Sequence, residues 1–407
     1  MNYILSAILL LFIMLKSTAQ VVEIDTTNND LRVSSLPYYN YGKGLGITAP
    51  DSLFQLNLRF RMQNRATYFA YDGGENDVLE AKIRRLRLRF DGYVGNPKFL
   101  YVIQLSFAPD DVGEIQQGRD FNVIRDALVM YRPNQRWNFV FGQTKLPGNR
   151  QRVNSSGALQ LTDRTINNAN FNIDRDFGVQ AHYLKSKPNA FSYHLKTAIS
   201  TGKGRNFSEN NDTGTAFTAK AELFPFGTFQ RDGRYFEGDI LREEKPKLML
   251  SGAIHQNNKA VRDRGQVGFD LFDAKRLRSS FVDVLFKYSG FAASAAYMSR
   301  NADDVFSMNP NDVNDIRFVY VGEGYDAQMS YVFPSNYELI ARYSSQHLRS
   351  QIQHLAPNQQ EFAIGITRYI WEHSFKIQTE ISQLQLLPNS GSISRDWYFR
   401  FQVEIGI

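Results

Sequence analysis

Two short arginine rows define the chemistry open to this chain of 407 residues: Arg59, Arg61 and Arg65 in one stretch, Arg85, Arg87 and Arg89 in the next. A guanidinium presents forked N–H donors that fit carboxylate and phosphate oxygens, and it keeps its charge at any physiological pH. Arginines at every second position make a track of anion contacts, along which a solute passes when no single station holds it too tightly. The competing reading is a hydrated wall whose arginines pair with acids such as Asp91. A second basic group lies in the segment 145–175, where Lys145, Arg150, Arg152, Arg164 and Arg175 stand against Asp163, Asp174 and Asp176. Charges beyond about 8 Å from a solute are screened at physiological ionic strength, so selectivity is expected only where a path narrows.

The spacing of the rows also identifies the element that carries them. From Arg84 to Val94, Leu86, Leu88, Phe90 and Val94 alternate with Arg85, Arg87, Arg89, Asp91 and Tyr93, which is the period of a strand. Gly95-Asn96-Pro97 turns the chain, and Phe99, Tyr101, Ile103, Leu105 and Phe107 continue an apolar face on the way back. A strand that is greasy on one face and basic on the other fits lipid on one side and a water-filled lumen on the other. The flipped register would place three arginines in lipid at about 2–4 kcal/mol each near the midplane, so they face inward. Arg84 then falls on the apolar side, tolerable only near an interface. The preceding strand alternates Phe54, Leu56, Leu58, Phe60 and Met62 with Gln55, Asn57, Arg59, Arg61 and Gln63. Sequential antiparallel pairing would join both rows into one basic stripe.

The same alternation runs to the end of the chain. Further strands are predicted near 121–131, 136–144, 176–185, 190–200, 215–224, 246–256, 279–288, 291–300, 322–333, 337–346, 359–370, 374–385 and 395–407, about sixteen in all. Short turns alternate with long polar loops at 67–81, 108–120, 145–175, 201–214, 257–278, 301–321, 347–358 and 386–394. Only Pro225–Lys245 is long on the short side. The expected fold is all-β: a transmembrane antiparallel barrel over 51–407, with short periplasmic turns, long external loops and the segment 145–175 folded inward as the constriction. The last strand closes it, with Trp397, Phe399, Phe401, Val403, Ile405 and Ile407 on one face. Before the barrel, an apolar run from Ile4 to Leu15 and the small residues Ser17-Thr18-Ala19 read as a signal peptide over 1–19, since a spanning helix needs roughly 20 apolar residues. Residues 20–50 read as a periplasmic leader.

Other chemistries find little support. The composition, 43% hydrophobic and 14% aromatic, excludes a disordered chain. With no cysteine there is no disulfide framework, thiolate zinc site or cysteine nucleophile. The six histidines form no HExxH and no close pair, there is no Gly-x-Ser-x-Gly elbow, and Gly42–Gly46 lacks Walker spacing. No enzymatic activity, cofactor or metal is therefore expected. The acidic group Asp303, Asp304 and Asp312–Asp315 reads as a solvated loop and not as a calcium site. Nucleic acid is not an expected partner, because the aromatics lie on the face opposite the arginines and share no groove with them. The net charge of +6 is small beside 47 basic and 41 acidic residues, so placement matters more than the sum.

With the Gly42–Ile47 leader, the Arg84–Val94 strand, Gly142–Pro147 followed by Arg150–Leu161, Asp174–Gln180 and Glu237–Glu244, the chain resembles the phosphate-selective porin O and P family, in particular its Bacteroidetes-like members. The resemblance implies a sixteen-stranded, homotrimeric barrel in the outer membrane of a Gram-negative bacterium. It implies inward loops and basic side chains that attract anions, with membrane lipid and small anionic or polar solutes as partners. The expectation is passive diffusion with a preference for phosphate or related oxyanions. The alternative is a secreted, soluble all-β binding or adhesion protein.

Overall fold

The computed structural model describes residues 44–49, 51–73, 77–112, 123–206 and 213–407. The expected signal segment 1–19, most of the leader 20–50 and parts of three loops lie outside these residues.

Alternation of apolar and polar side chains becomes strand wherever the sequence shows it. In chain order the strands are β1 (Leu45–Thr48), β2 (Phe54–Ala70), β3 (Val78–Val94), β4 (Asn96–Ser106), β5 (Ile124–Tyr131), β6 (Trp137–Lys145) and β7 (Arg175–Lys185). There follow β8 (Ser192–Ser200), β9 (Ala216–Phe224), β10 (Lys247–Arg262), β11 (Asp270–Tyr288), β12 (Phe291–Ala302), β13 (Phe306–Asn309) and β14 (Asp312–Phe318). The last are β15 (Gly322–Val332), β16 (Tyr337–Leu348), β17 (Asn358–Trp371), β18 (Phe375–Leu387) and β19 (Ser394–Gly406). Among the described residues sixteen of these, β2–β12 and β15–β19, pair antiparallel in sequence order. The ring closes where β19 meets β2, with Trp397 opposite Ala70 and Gly406 opposite Arg61. Strand β1 continues the same edge of β2, setting Leu45 opposite Leu58 and Thr48 opposite Gln55. Strands β13 and β14 form a separate hairpin in the loop between β12 and β15.

One end of the barrel carries the tight turns. At Ser289-Gly290 both residues have positive φ, 49° and 92°, the backbone that a two-residue hairpin demands. A belt of outward Phe, Leu, Ile and Val circles the wall, and Ile364 in mid-β17 is 57% exposed. Near the turn end it meets rings such as Phe99 on Tyr131 (4.9 Å) and Trp137 on Tyr183 (5.0 Å). An apolar belt edged by aromatics is what a strand wall in lipid shows. A soluble protein does not expose apolar surface on this scale, which removes the secreted alternative.

The strands outrun the predicted loops. Strands β2 and β3 extend through most of 67–81, and β10 and β11 through most of 257–278. Outside lipid the outward face need not be apolar, so ladder hydrogen bonds prolong strands after the hydrophobic signal has ended.

The dry core lies inside the barrel. Leu146, Phe171 and Ile173, from the connection between β6 and β7, pack with Ala253, Leu277, Phe281, Met298, Val319, Val321 and Leu348 of the wall and loops. Placing a charge on the opposite, outer face tests the lipid assignment. Ile364→Arg is expected to destabilise the barrel by about 2–4 kcal/mol in urea titrations from phospholipid vesicles.

Candidate functional site

Antiparallel pairing sets Arg59 opposite Arg89 and Arg61 opposite Arg87. Like charges directly opposite one another destabilise a sheet, so each pair needs a shared counter-charge. Asp91 serves the first, 3.3 Å from Arg59 and 2.9 Å from Arg89. For the second, Glu404 of β19 stands 3.7 Å from Arg61, and Asp111 takes Arg87 at 2.6 Å while also binding Arg125 at 2.7 Å.

Above these pairs the ladder slips. Gln63 faces Arg85 but Asn64 faces Ile83, which leaves Arg84 as a bulge residue. Past the bulge the inward parity changes, and Arg84 and Arg85 both reach the loop residue Asp163. This corrects the outward placement of Arg84, which assumed an unbroken ladder. A second bulge, between Gln104 and Leu105 of β4, faces Asp126 and Ile124, so Arg125 and Asp126 both turn inward.

The connection between β6 and β7 occupies the lumen. Ser155 accepts from Arg61 (3.0 Å), and Ser156 accepts from Arg61 (2.6 Å) and Arg87 (3.0 Å). On the far side Lys376 donates to the carbonyls of Gly157 and Leu159, Thr162 donates to Glu380 (2.9 Å), and Gln160 binds Ser330 and Glu338. Two wall glycines leave room for it. A Cβ on Gly365 would lie 2.3 Å from Leu161, and one on Gly324 would lie 2.1 Å from Asn167. The loop is thus wedged against the wall around much of the ring.

A second segment enters from the turn end: the connection between β9 and β10. Tyr235 and Phe236 pack on Val153 and Ala158 of the loop, and the Glu237 amide donates to the Ala158 carbonyl (3.0 Å). Within it Asp239 accepts from the amides of Glu243 and Gly290, while Arg242 donates to the carbonyls of Val332 and Ser289. This sequence-stretch, Glu237–Glu244, therefore acts as a clamp on the neighbouring turns.

Where loop and wall meet, Arg65, Arg84, Arg85, Arg87, Arg125, Arg152, Arg164, Arg175 and Arg205 surround Asp110, Asp111, Asp126, Asp163 and Asp174. Nine arginines face five aspartates. Of the residues expected from sequence, Arg61, Arg65, Arg85, Arg87, Arg152, Arg164 and Arg175 come to this region or its border. Arg175 forks onto Asp126 at 2.9 Å through both nitrogens, and Arg152 binds Asp174 at 2.5 Å. Of the others, Lys145 also lies among Arg152, Arg164, Arg175 and Asp126, whereas Arg59, Arg89 and Arg150 do not gather here. Arg59 and Arg89 are tied to Asp91. Lys145 is a strut donating to the carbonyls of Val153 and Asn154. Arg150 lies behind the loop, 3.5 Å from Glu237, where it lines a small cavity of about 20 Å³ with Asp283, Asp326 and Gln328.

Sequence reading missed Arg84, Arg125, Arg205 and Arg400. Two of them sit at bulges, which alternation cannot reveal. Arg205 comes from a loop, donating to the Asp111 carbonyl (3.2 Å). Arg400 was visible on the polar face of the last strand; it pairs with Glu380 at 3.0 Å.

Burial opposes a charge on Asp163, yet Arg84, Arg85, Arg65 and Arg400 hold its carboxyl well below the usual carboxylate range. Burial is likewise overcome at Asp111 by Arg87 and Arg125, and at Asp174 by Arg152 and Arg175. Arg164 shows the reverse. Burial, then Arg152 and Arg85, pull its guanidinium below its ordinary value. It donates to the carbonyls of Gln151 and Asn154, and among the described residues no carboxylate is within ion-pair distance.

Residues 54–230 match the family model described as phosphate-selective porin O and P. Among solved structures, the chain is similar to the outer membrane channel DcaP of Acinetobacter baumannii, with a TM-score of 0.54 at 16% identity over 89% of this chain and 99% of that one. It is also similar to OmpF of Salmonella typhi, solved in complex with daunomycin, with a TM-score of 0.55 at 11% identity over 89% and 100%. At these identities the likeness is one of fold. No curated protein matches the chain. The stretch that builds the basic wall and the infolded loop thus matches the phosphate-selective porin O and P family model, and the chain closes as a sixteen-stranded barrel of the Gram-negative outer membrane.

Proposed function

We propose that the protein is an anion-preferring porin through which small hydrophilic solutes, phosphate and related oxyanions among them, diffuse passively down their gradients. One observation carries this reading: nine arginines face five aspartates where the loop meets the wall, and Arg84, Arg87, Arg152, Arg164 and Arg205 keep some contact with water. An excess of fixed positive charge in a narrow, low-dielectric passage raises the local concentration of anions and lowers that of cations. Arg59 and Arg89, which share Asp91, contribute mainly to the wall. Conduction needs no bond made or broken, which favours a conduit over a catalyst. The segment 1–19 serves export, and three copies assemble side by side, as the family resemblance implies.

Reversal potentials in planar bilayers under a chloride gradient test the reading, with anion selectivity expected and cation selectivity overturning it. Arg87→Gln, which keeps a hydrogen bond within reach of Ser156, is expected to reduce the chloride-to-potassium permeability ratio about fivefold. That corresponds to roughly 1 kcal/mol for one unit charge at about 4 Å in water.

The dependence on pH follows from the loop carboxyls. Asp111, Asp163 and Asp174 are depressed, so the stabilisation they give is present above the ordinary carboxylate value near 3.9 and is lost only as pH falls through their lower folded values. The reversal potential is accordingly expected to stay constant from pH 8 to pH 5, measured on the same channels after buffer exchange.

A further inference from the structure

Building on the anion-preferring reading, we propose that Asp163 is a built-in competitor for the permeating anion: it occupies a three-arginine station that a solute oxyanion takes over by displacing it. Its carboxylate receives four N–H bonds from three guanidinia. Arg65 donates at 2.7 Å and Arg84 Nε at 3.2 Å to Oδ2, while Arg84 Nη2 and Arg85 Nη2 each donate at 3.1 Å to Oδ1. Two carboxylate oxygens offer about four lone-pair directions, so the arginines saturate this one. The same fork of donors suits the oxygens of phosphate, sulfate or a solute carboxylate.

Location and exposure separate Asp163 from Asp111, Asp126 and Asp174. Asp126 belongs to a strand and its side chain is 1% exposed, and Asp111 and Asp174, though outside the strands, are only 10% and 3% exposed. Asp163 belongs to the infolded loop, and its side chain is 22% exposed. Its backbone is held independently, by Arg342 donating to its carbonyl (2.9 Å) and by the neighbouring Thr162 on Glu380. Rotation about the side-chain bonds therefore frees the station without moving the loop. Arg164, which has only carbonyl partners, is the adjacent residue and adds positive charge for the incoming solute.

The arrangement limits how tightly an oxyanion is held. Three bare guanidinia would keep a divalent oxyanion and block the path, whereas a tethered carboxylate competes for the same donors and shortens its stay. Chloride, with no forked geometry, exerts less leverage on Asp163 than an oxyanion does.

The test is block of chloride current by inorganic phosphate through the purified protein in planar bilayers, with sulfate and acetate as separate arms. In Asp163→Asn the half-blocking phosphate concentration is expected to fall by at least about fivefold. If that variant does not fold, Asp163→Ser serves, since a hydroxyl meets arginine as Ser156 already meets Arg87. Heat-modifiable gel migration establishes folding. A smaller fall, or a rise, in a folded variant overturns the proposal and makes Asp163 an anchor of the loop. Reversal potentials from the wild-type channels separate this failure from failure of the anion-preferring reading, which cation selectivity alone would overturn.

Discussion

Arginine set opposite arginine across β2 and β3 is the constraint from which the rest of the lumen follows. Sheet pairing fixes Arg59 against Arg89 and Arg61 against Arg87, and no rotation of side chains can undo the register. Turning the rows outward costs more than any internal repulsion, because lipid offers nothing to solvate a guanidinium. The charges must be answered from inside. Asp91 and Glu404 answer from the wall, and Asp111 and Asp163 answer from the long connections. The infolded loop is in this sense a consequence of the basic wall as much as an independent feature.

That loop has two faces with different physics. Towards β8–β16 it buries Leu146, Phe171 and Ile173 in a dry core, and Leu161 packs with Ile340 and Ala363 beside Gly365. Such packing is dense and leaves no route for ions. Towards β2–β5 it offers serine hydroxyls and one carboxylate to arginines. In the proposed reading the conduit lies on the wet side. Tyr235 and Phe236, rising from the turn end, support the loop from below and fill a further part of the section.

Most of the barrel was legible because lipid imposes a strict rule on every second residue, and each of the sixteen predicted strands overlaps one that forms. The rule is silent in two circumstances. Above the membrane the outward face is free, so the extensions of β2, β3, β10 and β11 carried no hydrophobic signal. At a bulge the parity changes without any change in composition, which hid Arg84 and Arg125. Within the loop, residue type gave charge but not partner: nothing in the spacing of Lys145, Arg150 and Arg164 separates a strut, a rear-facing ion pair and an arginine held by carbonyls alone. Those roles depend on contacts with Val153, Glu237 and Gln151, which only the folded path of the loop creates.

Bulges explain why the site is stronger than its sequence spacing suggests. A regular strand presents one inward side chain every two residues, roughly 6.6 Å apart along its axis. A bulge presents two in succession, and Arg84 with Arg85 can then close on a single carboxylate from one side while Arg65 approaches from the neighbouring strand. Regular alternation yields a graded track with one arginine per station. The bulge turns one station into a cluster, which in the proposed reading holds an internal anion so that solutes can leave it.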